Sequence, residues 1–285
     1  RKTKIKGLSC LFTLRHPDHG GEFFGTEEER VLINQSVLEA GADIIDMEWG
    51  TEALVAMAEK NAPIVISHHD FKAMPSIEVL EELTSEMESF YPDAIKVVPT
   101  SSTLAHSVQM LQWVGNRTRD IARIGFAMGQ KGTCSRIMTT VYGAPITYAS
   151  FGDAVAPGQL SMDALINCYR VSELNDGCLV YGVAGKDVNH SRELEVMNQQ
   201  LKKKQLNAVC IPLESLELDE LLVVLEDLKI KGIQLENPLK EIAIDKFYGS
   251  GSFPGTSVFM EISSLNGKQE INIHPISGEK FVEHL

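Results

Sequence analysis

Short apolar runs that alternate with amphipathic segments constrain this chain more than any other feature of its sequence. The runs LSCLFTL (8–14), DIIDME (43–48), PIVIS (63–67), AIKVV (94–98), RIGFAM (123–128) and ITYAS (146–150) have the length and composition of strands. Between them, segments such as 27–41 and 102–116 carry apolar residues at helical spacing. A parallel neighbour is reached only through a crossover, so strands alternating with helices predict an α/β fold with a parallel sheet, and this many repeats predict a closed (β/α)8-type barrel. The order then restarts: a strand ending in glycine (178–185), a helix (193–205), a strand (208–214), a helix (218–232) and a strand (233–236) predict a second, smaller α/β domain. The barrel is assigned to 1–170 and the second domain to 178–285, with the polar stretch 170–177 as the linker.

The 285 residues are 44% hydrophobic, enough for the cores of two domains. With 39 acidic residues against 26 basic ones the net charge is −13, which opposes approach to phosphate backbones and anionic lipid; neither a nucleic acid nor a membrane is an expected direct partner. Cys10, Cys134, Cys168, Cys178 and Cys210 are odd in number, scattered and without a CxxC, a usage that suits reduced thiols in the cytoplasm or nucleus. No apolar stretch approaches the roughly 18 residues that a bilayer span needs, and the run after RKTKIKG is too short for a signal peptide. The lysines at 202–204 read as a solvated helix end.

The run at 63–67 stops at His68, His69 and Asp70. Successive strand side chains point to opposite faces, so the two histidines cannot serve one ion, and neither HExxH nor HxxEH spacing occurs nearby; no metal is expected, which leaves a general base or a strand-capping histidine. Barrels collect their chemistry at the C-terminal ends of strands, and polar residues stand at those places here: Arg15, Glu48, His69 and, after the glycine-rich AMGQKGTCS, Arg136. Lys96 lies inside a strand among Ala94, Ile95, Val97 and Val98. A buried ammonium is costly unless paired or functional, so this lysine is either a nucleophilic amine able to form a Schiff base or one half of a structural ion pair.

Taken in order, FTLR with GG (12–21), SHHDF (67–71), DAIKVV (93–98), MGQKGTCSR (128–136) and APGQLS (156–161) resemble the motifs of the type I 3-dehydroquinate dehydratases over residues 1–166. The resemblance implies that Lys96 forms an imine with 3-dehydroquinate and that His69 is the proton-transfer group. It also implies that Arg136 clamps the substrate carboxylate, with Arg15 and Gln159 completing a pocket to which Glu48 is added from its strand-end position. His68 is left as structural. Three departures stand out. His19 occupies the position before GG where the family has a carboxylate or amide, and Val155 replaces a small or hydroxyl-bearing residue. The family's first strand, with its glutamate and arginine, should lie upstream of Arg1, so the barrel is expected to lack that strand.

From 178 onward the sequence resembles the substrate domain of shikimate dehydrogenases. Ser191 matches the first hydroxyl of their HSxSP motif, but Glu193 and Leu194 replace the second hydroxyl and the proline. Pro238 and Lys240 match NVTxPxK, whereas Gln234 and Glu236 replace its asparagine and threonine, and Pro275 stands where an acid–base aspartate is expected. No GxGxxG occurs and the chain stops before a dinucleotide domain, so neither a cofactor nor dehydrogenase activity is expected. This succession of domains resembles the C-terminal end of the fungal pentafunctional shikimate-pathway proteins and the related quinate repressors. The eroded second domain sides with the repressor type. That resemblance implies a pseudoenzyme that senses 3-dehydroquinate or quinate and acts on a transcription activator protein. The alternative is an active dehydratase fused to an inactive dehydrogenase-like domain.

Overall fold

The computed structural model describes residues 8–117, 120–152, 158–249, 253–265 and 268–284. They fall into two compact units, one from the described residues up to Pro99 together with Asn116–Gly125, the other from Thr100–Gly115 together with the described residues from Phe126 onward.

In the first unit β1 (Leu11–Thr13), β2 (Ile44–Glu48), β3 (Ile64–Asp70), β4 (Ala94–Pro99) and β5 (Ala122–Gly125) form a parallel sheet in chain order, the sequential winding of a barrel. The returns are α1 (Glu27–Glu39), α2 (Glu52–Ala58) and α3 (Ile77–Glu88). Each starts at a hydroxyl cap: Thr26, in a reciprocal capping box with Glu29, then Thr51 and Ser76. One sheet face is apolar, with Ile45, Met47, Ile64, Ile66, Ile95 and Val97 buried. Helix residues Leu54, Met57, Leu80 and Met87 are buried as well. The other face carries Asp46, Glu48, Ser67 and Lys96, all buried, alongside Val65, Ala94 and Val98.

Helix α1 departs from the amphipathic expectation. It buries Arg30 and Asn34 and leaves Leu32 63% exposed, because the buried strand residue that α1 meets is the carboxylate of Glu48. Among the described residues the run at 146–150 gives no sheet strand either; its pairing is a bridge from Ser150 to Ser161. β-propensity without a partner strand does not make a strand.

The second unit holds α4 (Leu104–Gly115) and α5 (Thr133–Met138), followed by β6 (Leu179–Gly185), α6 (Arg192–Lys203), β7 (Ala208–Glu214), α7 (Leu218–Val223) and β8 (Ile230–Leu235). After these come α8 (Leu239–Phe247), β9 (Val258–Leu265), β10 (Lys268–His274) and α9 (Gly278–Glu283). Its sheet runs β10-β9-β8-β6-β7; β6 is parallel to β7 and β8, and β9 is antiparallel to both β8 and β10. One apolar core joins Leu104, Val108 and Leu111 of α4 and Ile137 of α5 to Val180, Val209, Ile211 and Ile233 of the sheet.

The expectation for 218–236 is corrected here. The helix at 218–232 ends at Val223, and Lys229, at φ 53°, turns the chain into β8, which begins at Ile230 rather than 233. The β9–β10 hairpin was not expected. At the start of the stretch 170–177, buried Arg170 donates from Nη2 to the carbonyls of Ala208 (2.9 Å) and Leu206 (3.4 Å).

Candidate active site

Strand register assembles the polar face. Glu48 pairs with Ser67, and Ser67 with Lys96, across three strands. Asp46 lies two residues before Glu48 and His69 two after Ser67, so the period-two alternation puts all five on one side of the sheet. His68 is in register with Val97 and points to the other side. Burial and a nearby His19 depress its pKa, against the opposing pull of Asp70.

Arg15 reaches this face from just beyond β1. The turn after it depends on both glycines: Gly20 sits at φ 81°, and a Cβ on Gly21 would come within 2.0 Å of the Arg15 carbonyl oxygen. His19 ends the short 3-10 turn Pro17–His19 within that loop.

Asp46 is the hub. Its Oδ1 accepts from Arg15 Nη2 (3.1 Å) and from Ser67 Oγ (2.5 Å), and its Oδ2 accepts from Lys96 Nζ (3.0 Å). Burial alone would raise its pKa, but the Lys96 ammonium, the Arg15 guanidinium and the Ser67 hydroxyl hold it below the usual carboxylate range. Arg15 Nη1 stands 3.1 Å from Nδ1 of His69. Burial, Lys96 and Arg15 together push the His69 pKa down to about 2, so the ring is neutral at physiological pH. Its ring also stacks on Phe71, with centroids 6.1 Å apart.

Glu48 is occupied by the protein itself: one carboxylate oxygen pairs with fully buried Arg30, the other accepts the His16 N–H at 3.1 Å, and Arg15 Nη1 lies 3.9 Å away. The structure thus brings Arg15, Glu48, His69 and Lys96 together. It adds Asp46, Ser67 and Arg30, which sequence reasoning did not single out. Asp46 and Ser67 had a readable signal, being polar residues inside buried strands at period two from Glu48 and His69. Arg30 had none, since it follows three glutamates and looks solvated.

Arg136 and Gln159 belong to the second unit. Arg136 is buried on α5 with its guanidinium 4.5 Å above the Phe126 ring, and burial lowers its pKa to about 10. Val155 lies outside the described residues. Gln159 lines a cavity of about 910 Å³ with Thr133, Asn189, Ser191, Glu195 and other residues. No lysine or arginine lines it among the described residues.

At the dehydrogenase-like motifs, the Ser191 hydroxyl donates to the Glu236 carboxylate, so it is spoken for. Glu193 is raised by burial and by the nearby Glu236 and Glu279. Lys240 donates to the Thr256 carbonyl at 3.3 Å, and Pro275 packs against Gly255 after the end of β10.

Known proteins share both halves. A bifunctional 3-dehydroquinate dehydratase/shikimate dehydrogenase of Arabidopsis thaliana is 29% identical over 252 residues, covering 85% of this chain and 42% of that protein. The 3-dehydroquinate dehydratase of Dehalococcoides mccartyi strain 195 is 32% identical over 165 residues, 56% of this chain and 74% of that protein. Among solved structures, the dehydroquinate dehydratase and shikimate dehydrogenase from S. pombe AroM is similar in fold, at TM-score 0.50 and 24% identity, over 93% of this chain and 52% of that one. A type I 3-dehydroquinate dehydratase of Clostridium difficile, solved with covalently modified comenic acid, matches at TM-score 0.53 and 25% identity over 59% and 70%. This chain therefore spans about half the length of the two-domain proteins it matches and pairs a dehydroquinase-like region with a shikimate-dehydrogenase-like one, as they do. The model of the Type I 3-dehydroquinase family matches residues 1–176, more than half of the 285, and on that match the chain belongs to the type I 3-dehydroquinase family.

Proposed function

We propose that the chain is a metabolite-sensing pseudoenzyme of the quinate-repressor type. Its dehydratase-like region, 1–170, binds a keto acid such as 3-dehydroquinate, or quinate itself. Its dehydrogenase-like region, 178–285, has lost its chemistry, and the protein restrains a transcription activator by contact in the cytoplasm or nucleus. The observation that carries this reading is the contrast between two lysines: Lys96 is kept in a buried, charge-matched network, while Lys240 donates to a backbone carbonyl beside a carboxylate-crowded motif.

The pocket chemistry follows from the residues present. With its contact to Asp46 opened, the Lys96 amine attacks a ketone, the carbonyl oxygen leaves as water and an iminium remains that draws electrons from the adjacent carbon. In the dehydratase reaction a base then takes the proton on that carbon and the hydroxyl beyond it departs as water. Arg136 and Gln159 are the further ligand contacts on this reading. A 3-dehydroquinate-type ligand fits the chemistry of the family, and the charge of −13 supports a protein partner over DNA.

The second reading is an active dehydratase, favoured by Arg15, His69 and Lys96 lying in one network. Borohydride reduction with 3-dehydroquinate separates the two. The expected result is a mass adduct on Lys96, absent in Lys96→Met, with no formation of the unsaturated product. Adduct together with turnover establishes the dehydratase. Neither adduct nor calorimetric binding overturns the pocket altogether. Retention of the activator by the full-length protein should change with quinate or 3-dehydroquinate; indifference to both removes the sensing role.

A further inference from the structure

Arginine nitrogens carry hydrogens and have no lone pair to offer, and the guanidinium stays charged. Arg15 Nη1 faces His69 Nδ1 at 3.1 Å, so that ring nitrogen must be the acceptor. Its lone pair lies along the N–H, and the single proton of a neutral imidazole is left to the other nitrogen. The guanidinium cannot turn away freely, because Nη2 is held by Asp46 at 3.1 Å and Nη1 lies 3.4 Å from Ser67 Oγ. A proton on Nδ1 would set N–H against N–H at the same distance.

We propose that Arg15 locks His69 in the tautomer protonated on Nε2, which makes the ring a hydrogen-bond donor to a bound ligand and leaves it no free lone pair with which to act as a base. Arg15 is a positioning residue in this role. The assignment deepens the sensing function and rests on it for its consequence: a keto acid on Lys96 stops at the iminium, since the adjacent proton has no acceptor in His69. The low pKa of His69 agrees with a ring that stays neutral beside two cations.

The test is a long-range proton–nitrogen correlation spectrum at pH 7 of the whole chain labelled with 15N-histidine, with His69 assigned by the loss of its signals in His69→Gln. The expected pattern is a pyridine-type Nδ1 and a pyrrole-type Nε2. A pyrrole-type Nδ1, or two equivalent nitrogens of an imidazolium, overturns the assignment. In Arg15→Met the pattern should shift toward a mixture of tautomers, and an unchanged single tautomer in a folded variant would show that Arg15 does not set it. The wild-type spectrum decides the matter even if that variant does not fold. No ligand enters the measurement, so its failure leaves imine trapping on Lys96 untouched, and absence of an adduct leaves the tautomer untouched.

Discussion

Lys96 and Lys240 are the lysines that the motifs of the two halves single out, and their surroundings differ in kind. Around Lys96 the charges alternate: Asp46 lies between the ammonium and Arg15, Glu48 between Arg15 and Arg30, and a neutral His69 completes the set. Around the Ser191–Glu236 motif the charges accumulate, with Glu193, Glu236 and Glu279 close enough to raise the Glu193 pKa while Lys240 donates to the Thr256 carbonyl. Removal from water makes the first arrangement intolerant of single losses, because each charge depends on its neighbour. Partial exposure makes the second tolerant, since solvent screens the repulsion.

The sharpest way to break this comparison is to remove the hub. Asp46→Ala leaves the Lys96 ammonium and the Arg15 guanidinium buried without their carboxylate, and the expected loss is about 3–5 kcal/mol of unfolding free energy, read from urea titrations. A loss under about 1 kcal/mol, the size typical of a surface pair, would mean that water reaches the network and that the two sites do not differ in kind.

The second probe is pH. The folded pKa of His69, about 2, lies far below the unfolded value near 6.5, so the unfolded chain takes up the proton first. Its contribution is therefore complete above about 6.5 and falls away as the pH drops toward 2, by about 1 kcal/mol between pH 7 and 5.5. Asp46, lowered in the fold, adds its own loss only below about 3.9. Comparing urea midpoints at pH 7 and 5.5 for the wild type and His69→Gln isolates the His69 share, because depressed His68 and His106 act equally in both proteins. Equal pH responses would mean that His69 titrates normally and is solvated.

What was legible in the sequence follows the same physics. Lys96 could be read because a single ammonium in an apolar run has no bland explanation, and the order of five parallel strands could be read because each run is separated from the next by a helix. Asp46 carried the same signal and passed unread, since a carboxylate near a strand end resembles a turn. The inversion of α1 was not legible: Leu32 and Ile33 look like a buried face until Glu48, across the chain, demands Arg30. The β9–β10 hairpin was announced by Asn266-Gly267 between two β-rich runs and was missed because helices dominated the pattern. The start of β8 at Ile230 depends on Lys229 taking φ 53°, which nothing local requires.

The smallest expected effect tests the other side of the comparison. Glu236→Gln keeps an oxygen that can accept from Ser191 and removes the like charge beside Glu193. Glu193 is raised in the fold, so its protonated form is the favoured one there, and the stability it contributes is present below its unfolded pKa and lost as the pH rises through the folded value. Removing the neighbouring charge relieves that loss, and the gain should appear only when Glu193 is ionised. Because Glu193 is only partly buried, solvent screening limits the gain to about 0.5 kcal/mol at pH 7.5, with none at pH 4. Thermal unfolding of both proteins at the two pH values in low salt reads the difference, and added salt should shrink it. A loss of stability at pH 7.5 would mean that the Glu236 carboxylate does structural work that an amide cannot, and that the second motif is a maintained site rather than an eroded one.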